Sequence, residues 1–307
     1  MISYLIFYKI LQLFAVMLLG FALVKLRLVR SDDSVVLSKL CLYVLLPATV
    51  LSSFDIALTE DIRNGLLLSF AAAILIHLLL LLFDLLYRRL FRAGSVERAS
   101  VMYSNAGVLI IPIVSYALGA EWVIYSCAFL SVQIVFLWTH GARLFERGEG
   151  IPFKKILLNP NILVIALGLV LLCCGIRLPA FVAEITFSLG NMIGNVGMLI
   201  AGMTIAKINP REMMRDKRLY VASAVRLLVI PLVLLGIIKL ALLLLPVANA
   251  EKLLLISFLA CITPSAATVM QFAQLHQQDE ALAVAVNAFT ALVGMLTMPL
   301  LVALYFL

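Results

Sequence analysis

Long hydrophobic stretches, separated by short polar turns, follow one another along the whole chain. A helix needs roughly 20 apolar residues to cross the hydrocarbon of a bilayer, so each stretch predicts one membrane-spanning helix. The ten predicted spans lie at about residues 4–24, 34–53, 64–87, 97–118, 121–142, 157–175, 179–206, 218–245, 252–274 and 280–305. The predicted fold class is therefore an all-α membrane protein with ten transmembrane helices.

Two of these spans carry a proline among small polar residues. Span 4 contains Asn105-Ala-Gly-Val-Leu-Ile-Ile-Pro112, and span 9 contains Thr263-Pro-Ser-Ala-Ala-Thr268. Proline lacks an amide hydrogen and clashes with the preceding turn, so both stretches predict broken helices. From the helical rise, Pro112 and Pro264 lie roughly 22 and 18 Å from the starts of their spans. Both breaks are therefore expected near mid-membrane, where they would cross.

The number of spans predicts two repeats of opposite orientation. Five spans belong to residues 1–147 and five to residues 148–307. An odd number of crossings inverts the second repeat relative to the first, and each repeat has its break in its fourth span. Such paired breaks are typical of the midplane substrate sites of secondary transporters. Half-helix N-termini favour a bound anion there, and exposed carbonyls favour a cation.

Composition and charge support this class and narrow the partners. The chain is 64% hydrophobic and 13% charged, with a mean hydropathy of +1.16, which is typical of an integral membrane protein. Its net charge of +7 comes mostly from Lys and Arg in the odd-numbered loops. Cytoplasmic loops collect these residues, so both termini are predicted to be extracytoplasmic in a multi-pass protein of the cell inner (plasma) membrane. The lipid bilayer is the expected partner, and nucleic acid is not.

Several short motifs, in order along nearly the whole chain, resemble the auxin efflux carrier family, including its bacterial members. They are Leu42-Tyr-Val-Leu-Leu-Pro47-Ala48, Asn105-Ala-Gly107 with Ile111-Pro112-Ile113 and Gly119, Asn159-Pro160-Asn161, Gly197-Met-Leu-Ile-Ala-Gly202, and Thr263-Pro264-Ser265. The Gly197–Gly202 stretch departs from the family pattern, because the proline or polar residue expected before its glycine is not evident.

The resemblance implies a fold similar to that of bile-acid sodium symporters and sodium/proton antiporters. Spans 1, 2, 6 and 7 would form a scaffold, and spans 3–5 and 8–10 a transport unit that moves in an elevator-type cycle. The implied substrate is a small organic anion, such as a carboxylate or an auxin-like acid. A homodimer through the scaffold is expected from the resemblance and from the Gly190/Gly194 pair, which also fits close helix packing.

The candidate substrate-binding residues are polar or small groups predicted at membrane depth. They are Asn105, Gly107, Pro112, Gln133, Asn191, Asn195, Arg226, Thr263, Pro264, Ser265 and Thr268. Bland alternatives stay open for each kind. Asn105 would cap a half-helix, and the hydroxyls would bond back to their own helix. Asn191 and Asn195 would join neighbouring helices, and Arg226 would extend to the interface instead of acting as an anion-attracting or structural cation in the transport unit.

Three further features bear on the chemistry. His77 is expected either to titrate or, more simply, to pack inside the protein, and Asp84 to pair with Arg88. The five cysteines are expected to be small buried residues.

No acidic residue lies at either break, so exchange of protons for cations by central carboxylates is disfavoured. The sequence carries no catalytic motif and no metal or cofactor site, so an enzyme is not expected. A coupling ion, sodium or proton, stays open. Two alternatives to an organic-anion carrier remain. One is an anion-binding membrane receptor without transport, and the other is a sodium-coupled symporter that uses Asn105, Ser265 and the break carbonyls.

Overall fold

The structure, a computed structural model, describes residues 2–146, 158–207, 214–244 and 249–307. The boundary predicted between the repeats, at residues 147 and 148, lies outside this part. The helices are α1 (Ile2–Lys25), α2 (Ser31–Ser53), α3 (Glu60–Phe91), α4 (Ser95–Met102), α5 (Ala106–Ala117), α6 (Ala120–Phe145), α7 (Pro160–Cys173), α8 (Ala180–Ile205), α9 (Lys217–Leu244), α10 (Ala250–Ile262), α11 (Ala267–Leu275) and α12 (Glu280–Tyr305).

Seven of these helices are long and apolar enough to cross a membrane, namely α1, α2, α3, α6, α8, α9 and α12. Helices α5 and α7 are apolar but shorter. The pairs α4–α5 and α10–α11 occupy the predicted spans 4 and 9, each with a break in the middle. The all-helical membrane class is confirmed, whereas ten complete spans and an inverted repeat stay predictions.

Local sequence signals explain where several helices begin. Thr59 accepts a hydrogen bond from the Ile62 amide at the start of α3, and Asp279 accepts one from Leu282 at the start of α12. Asn159 caps α7 through the Asn161 amide, with Pro160 in the first turn, where its missing N–H costs nothing. Such side-chain oxygens satisfy donors that the helix itself leaves free.

The helices pack in two groups, and their division into a scaffold and a transport unit stays a prediction. Helix α8 runs along α1, and α2 packs against α7 and α8. In the other group α3 packs against α6 and α10, while α12 contacts α9 and α11. Helix α5 touches both groups, since it packs on α1 and α8 as well as on α6 and α10. Helix α12 also contacts α1 and α8.

The glycines of α8 allow close packing within the chain. A Cβ added at Gly190 would lie 3.0 Å from the Thr49 backbone, and one at Gly194 would lie 2.7 Å from Pro112 Cγ. This pair therefore packs against α2 and α5, which agrees with the close-packing alternative, and a homodimer stays a prediction. The expectation of five buried cysteines is wrong for Cys173 and Cys174, which are exposed at the end of α7.

Candidate functional site

The two helix breaks meet directly through their main chains. The Asn105 amide donates to the Pro264 carbonyl at 2.8 Å, and the Ala266 amide donates to the Tyr103 carbonyl at 3.0 Å. These bonds flank an antiparallel bridge between Ser104 and Ser265. The expected crossing of the two broken segments is therefore present, and it satisfies backbone groups that the breaks remove from their helices.

The position of the first break differs from the prediction. Helix α4 ends at Met102 and α5 begins at Ala106, so the break spans residues 103–105, while Pro112 lies inside α5. A break is tolerated in a membrane where other donors and acceptors replace the helical bonds. Such partners surround residues 103–105, whereas Pro112 removes only one helical bond. The second break, from Thr263 to Ala266, does contain its proline.

Polar side chains of α6 and α12 bind the two serines of the bridge, Ser104 and Ser265. Gln133 of α6 binds Ser104, donating to its carbonyl at 2.9 Å and accepting from its hydroxyl at 2.5 Å. On the other side Asn287 donates to the Ser265 carbonyl at 2.7 Å, and Thr290 accepts from its amide at 3.1 Å. All five residues are buried. Gln133 therefore reaches the crossing, as expected, but its amide supports the backbone.

Arg226 lies behind the crossing and binds the C-terminal ends of α4 and α10. It donates to the carbonyls of Val101 at 3.1 Å, Cys261 at 2.5 Å and Thr263 at 2.9 Å. Its side chain is fully buried, so extension to the interface is wrong and a structural cation is what the geometry shows. A short π-helical segment, Val225–Val229, aims this side chain inward. The positive charge complements the negative ends of two helix dipoles.

The N-terminal ends of α5 and α11 lie beside the same crossing. The first amides of a helix have no partner within it, and they carry partial positive charge. Asn105 precedes α5 and is half-buried, and within the described chain its side chain makes no capping bond. Gly107, Thr268 and Gln271 are likewise half-buried in the first turns. These groups form the accessible face of the crossing.

The second break supplies mainly support. The Thr263 hydroxyl bonds back to the Ala260 carbonyl at 3.1 Å, so the bland alternative describes this residue. Pro264 and Ser265 are buried, and both use their carbonyls for bonds within the protein. Of the four candidate residues on this segment, Thr268 is therefore the one whose side chain reaches an accessible surface.

A cavity of about 680 Å³ opens between the two helix groups. Its polar lining comes from Lys9, Thr49, Ser52, Ser53, Ser115, Tyr116, Glu121 and Asn191. It extends to Pro112, which lies roughly 10 Å along α5 from Asn105. The Lys9 ammonium lies 5.4 Å from the Tyr116 ring centroid, so a cation from α1 faces the α5 side of the cavity. Asn191 lines this space, while Asn195 is exposed outside it. Exposure argues against either asparagine joining two helices.

The ionisable residues at membrane depth also differ from expectation. Asp84 pairs with Arg98, at 2.6 Å, and contacts His140 at 3.3 Å, so the predicted pair with Arg88 is wrong. The start of α4 brings Arg98 across the Asp84 face of α3. His77 is fully buried, bonds to the Ala73 carbonyl at 2.7 Å and stacks on Phe136, which fits the packing interpretation.

Sequence reasoning missed several positions of the candidate site. Asn287 and Thr290 play the part in α12 that Gln133 plays in α6, and a search of span 10 for a counterpart of Gln133 would have pointed to them. Lys9 and Glu121 line the cavity but lie outside the helices that flank the breaks, so no local signal identifies them. Tyr116 also lines it and lies in α5, four residues after Pro112.

The helix groups, the crossed breaks and the cavity between the groups define a membrane transport protein. Comparison with family models agrees, because the model described as "Membrane transport protein" matches residues 5–302. The chain belongs to this family, which is the auxin efflux carrier family. Among curated proteins, no sequence matches the chain.

Proposed function

We propose that the protein is a secondary transporter that carries a small organic anion, such as a carboxylate or an auxin-like acid, across the membrane. The observation that carries this proposal is the convergence of two half-helix N-termini beside Asn105, Gly107 and Thr268. The opposite, negative helix ends are already neutralised by Arg226. The accessible face therefore has partial positive charge without a carboxylate side chain.

The charge balance favours an anion. Each helix N-terminus is equivalent to about half an elementary charge, so two of them approach one full charge at the crossing. Arg226 offsets the two negative helix ends behind the crossing, in surroundings of low dielectric constant, so they do not cancel this positive charge. The neighbouring side chains on the accessible face are amides and hydroxyls, which bind a carboxylate by hydrogen bonds.

A sodium site on the break carbonyls is less well supported. The carbonyls of Tyr103, Ser104, Pro264 and Ser265 accept hydrogen bonds from other parts of the chain, and that of Thr263 accepts from Arg226. A cation there would have to displace these donors and would lie next to a guanidinium. The sodium-coupled alternative is therefore disfavoured relative to an uncoupled or proton-coupled carrier.

The packing between the groups favours movement over a fixed receptor. Helix α5 meets α8 where α8 is built from glycines, with Gly194 on Pro112 and Gly197 on Val108. The glycines present no side chain to Pro112 and Val108, and such a surface suits sliding of a transport unit (α3–α6 and α9–α12) against a scaffold (α1, α2, α7 and α8). The cavity lies at this same boundary. We propose an elevator-type cycle in the plasma membrane. Both termini would lie on the extracytoplasmic side, and a homodimer would form through the scaffold.

The test begins with a thermal-shift screen of malonate, malate, indole-3-acetate and related acids, since a ligand stabilises the state that it binds. The acid with the largest shift is then used, isotopically labelled, for counterflow in proteoliposomes. Asn105→Ala and Pro112→Ala should impair flux more than they lower expression. Asn64→Ala, at an exposed position in the first turn of α3, serves as the control.

Binding of an acid without counterflow would favour an anion-binding receptor that does not transport. Flux that requires sodium would favour a sodium-coupled symporter. If Asn105→Ala and Pro112→Ala both behave like the parent, the substrate site lies elsewhere.

A further inference from the structure

A chain of four polar side chains connects the crossing to the far end of α6. The Tyr103 hydroxyl lies 2.9 Å from His140 Nδ1 and 2.9 Å from the Phe136 carbonyl. His140 Nε2 lies 3.3 Å from Asp84 Oδ2, and Arg98 binds the same carboxylate through both of its oxygens. Tyr103 and Asp84 are buried, whereas 23% of the His140 side chain is exposed.

Counting hydrogens shows that this network fits two protonation states of His140. With a neutral ring, Nε2–H donates to Asp84 and Nδ1 accepts the Tyr103 hydroxyl hydrogen. With a protonated ring, Nδ1–H donates to the Tyr103 oxygen, and the hydroxyl hydrogen turns to the Phe136 carbonyl. The other neutral tautomer is disfavoured, because it would place the Nε2 lone pair against a carboxylate. Tyr103 has one hydrogen and two acceptors at equal distance, so it can follow either state.

The network is joined to the candidate substrate site. The carbonyl of Tyr103 accepts the Ala266 amide in the crossing, and Asn105 follows two residues later. A π-helical segment, Leu137–Gly141, places His140 on this side of α6. Asp84, Arg98 and His140 belong to helices of the proposed transport unit, and Tyr103 lies in the break between two of them. Single π-helical turns within α-helices often occur at functional sites.

We propose that His140 is a proton-binding site linked to substrate binding, so that the proton is the coupling ion of the transporter. This inference rests on the proposed function. A hydronium ion at the exposed edge of His140 gives up a proton and leaves as water, an N–H bond forms at Nδ1, and the site gains one positive charge. That charge favours an anion at the crossing. By thermodynamic reciprocity, the bound anion favours the proton equally.

The charged groups that face His140 are consistent with such a role. Asp84 approaches it from α3, and Arg98 approaches Asp84 from α4. Within the described residues these are the charged side chains bonded into the network. Asp84 has a permanent partner in Arg98, so it keeps its position whether or not His140 is charged.

The first test observes the site without any substrate. The chain has three histidines, His77, His140 and His276, so ring signals of protein labelled at histidine can be assigned from single His→Gln variants. In the full-length protein in nanodiscs, the His140 signal should move between two limits from pH 5 to pH 9, with gain of one proton. A His140 signal that stays at one limit over this range would overturn the proposal, whatever the protein transports.

The second test measures linkage with the acid that the thermal-shift screen identifies. We expect the parent to bind it at least about fivefold more tightly at pH 6 than at pH 8, at the lower end of usual coupling. His140→Gln should reduce this ratio to less than twofold. His276→Gln, at a position that packs on Phe145 and Phe272, should keep it.

If His140→Gln does not fold, His140→Asn replaces it, since the shorter amide also cannot take up the proton. An equal ratio in the parent and in the folded variant would refute the linkage. Failure of every acid in the screen would instead count against the proposed function, while the histidine spectra would still decide the proton site.

Discussion

Substitution of Arg226 distinguishes most clearly between a structural role and a ligand-binding role. Replacing it with methionine keeps the length of the side chain but removes every donor. Three buried carbonyls, those of Val101, Cys261 and Thr263, would then lose their bonds from the guanidinium. Each orphaned buried acceptor costs about 1–3 kcal/mol, which gives about 3–9 kcal/mol in total.

Part of this loss is offset, because methionine also removes the cost of burying a charge. We therefore expect a net destabilisation of about 3 kcal/mol, at the lower end of that range. Arg226→Lys should fall between methionine and the parent, since lysine keeps the charge but lacks the planar fork that reaches separate carbonyls.

Thermal unfolding of the purified protein in detergent, without substrate, measures this effect. Arg63→Met is the matched control, because Arg63 forms an exposed ion pair with Glu60 and should matter little. A stable Arg226→Met protein with weakened anion binding would refute the structural assignment and return Arg226 to the substrate site.

Three further changes follow from the geometry. Gly194→Ala would put a methyl 2.7 Å from Pro112 Cγ and should cost about 1–3 kcal/mol in thermal unfolding, whereas Gly236→Ala, with no neighbour within 4 Å, should cost nothing. Asn287→Ala leaves the Ser265 carbonyl without its donor, so it should lower the free energy of unfolding by about 1–3 kcal/mol and reduce transport as well. An unchanged melting temperature would contradict the support role. Hydrogen bonds from Arg218 hold the pKa of Asp216 below its usual value, so its contribution to stability is complete above about pH 4 and is lost as the pH falls further. Asp216→Asn should therefore narrow the difference in melting temperature between pH 5 and pH 3, and an unchanged difference would contradict this.

The sequence was informative about features set by local composition. Hydrophobic length predicted the helices, and polar residues within two of them predicted the breaks and their meeting. The first break was misplaced because Pro112 was taken as its cause. The actual cause is tertiary, since the partners at residues 264–266 and the Gln133 amide make an interruption at residues 103–105 stable.

The roles of individual polar residues were harder to predict. Gln133, Asn105 and Arg226 are all polar groups at membrane depth, and one sequence cannot tell which of them faces water. In the structure Gln133 and Arg226 are buried against carbonyls, while Asn105 is half-exposed. The Asp84 partner was missed because a helical neighbour four residues away is visible in the sequence, whereas Arg98 reaches Asp84 through the turn between α3 and α4.

The central claim is that the amides at the start of α5 bind the carboxylate of a solute. Solid-state NMR can measure this contact with [15N]glycine-labelled protein in lipid and the 13C-carboxylate form of the acid found in the screen. We expect dipolar dephasing from Gly107, lost in Gly107→Ala, a change that leaves the nearest side-chain atom at 3.8 Å and should not disturb the fold. An acid that is transported but shows the same dephasing in parent and Gly107→Ala would contradict the account.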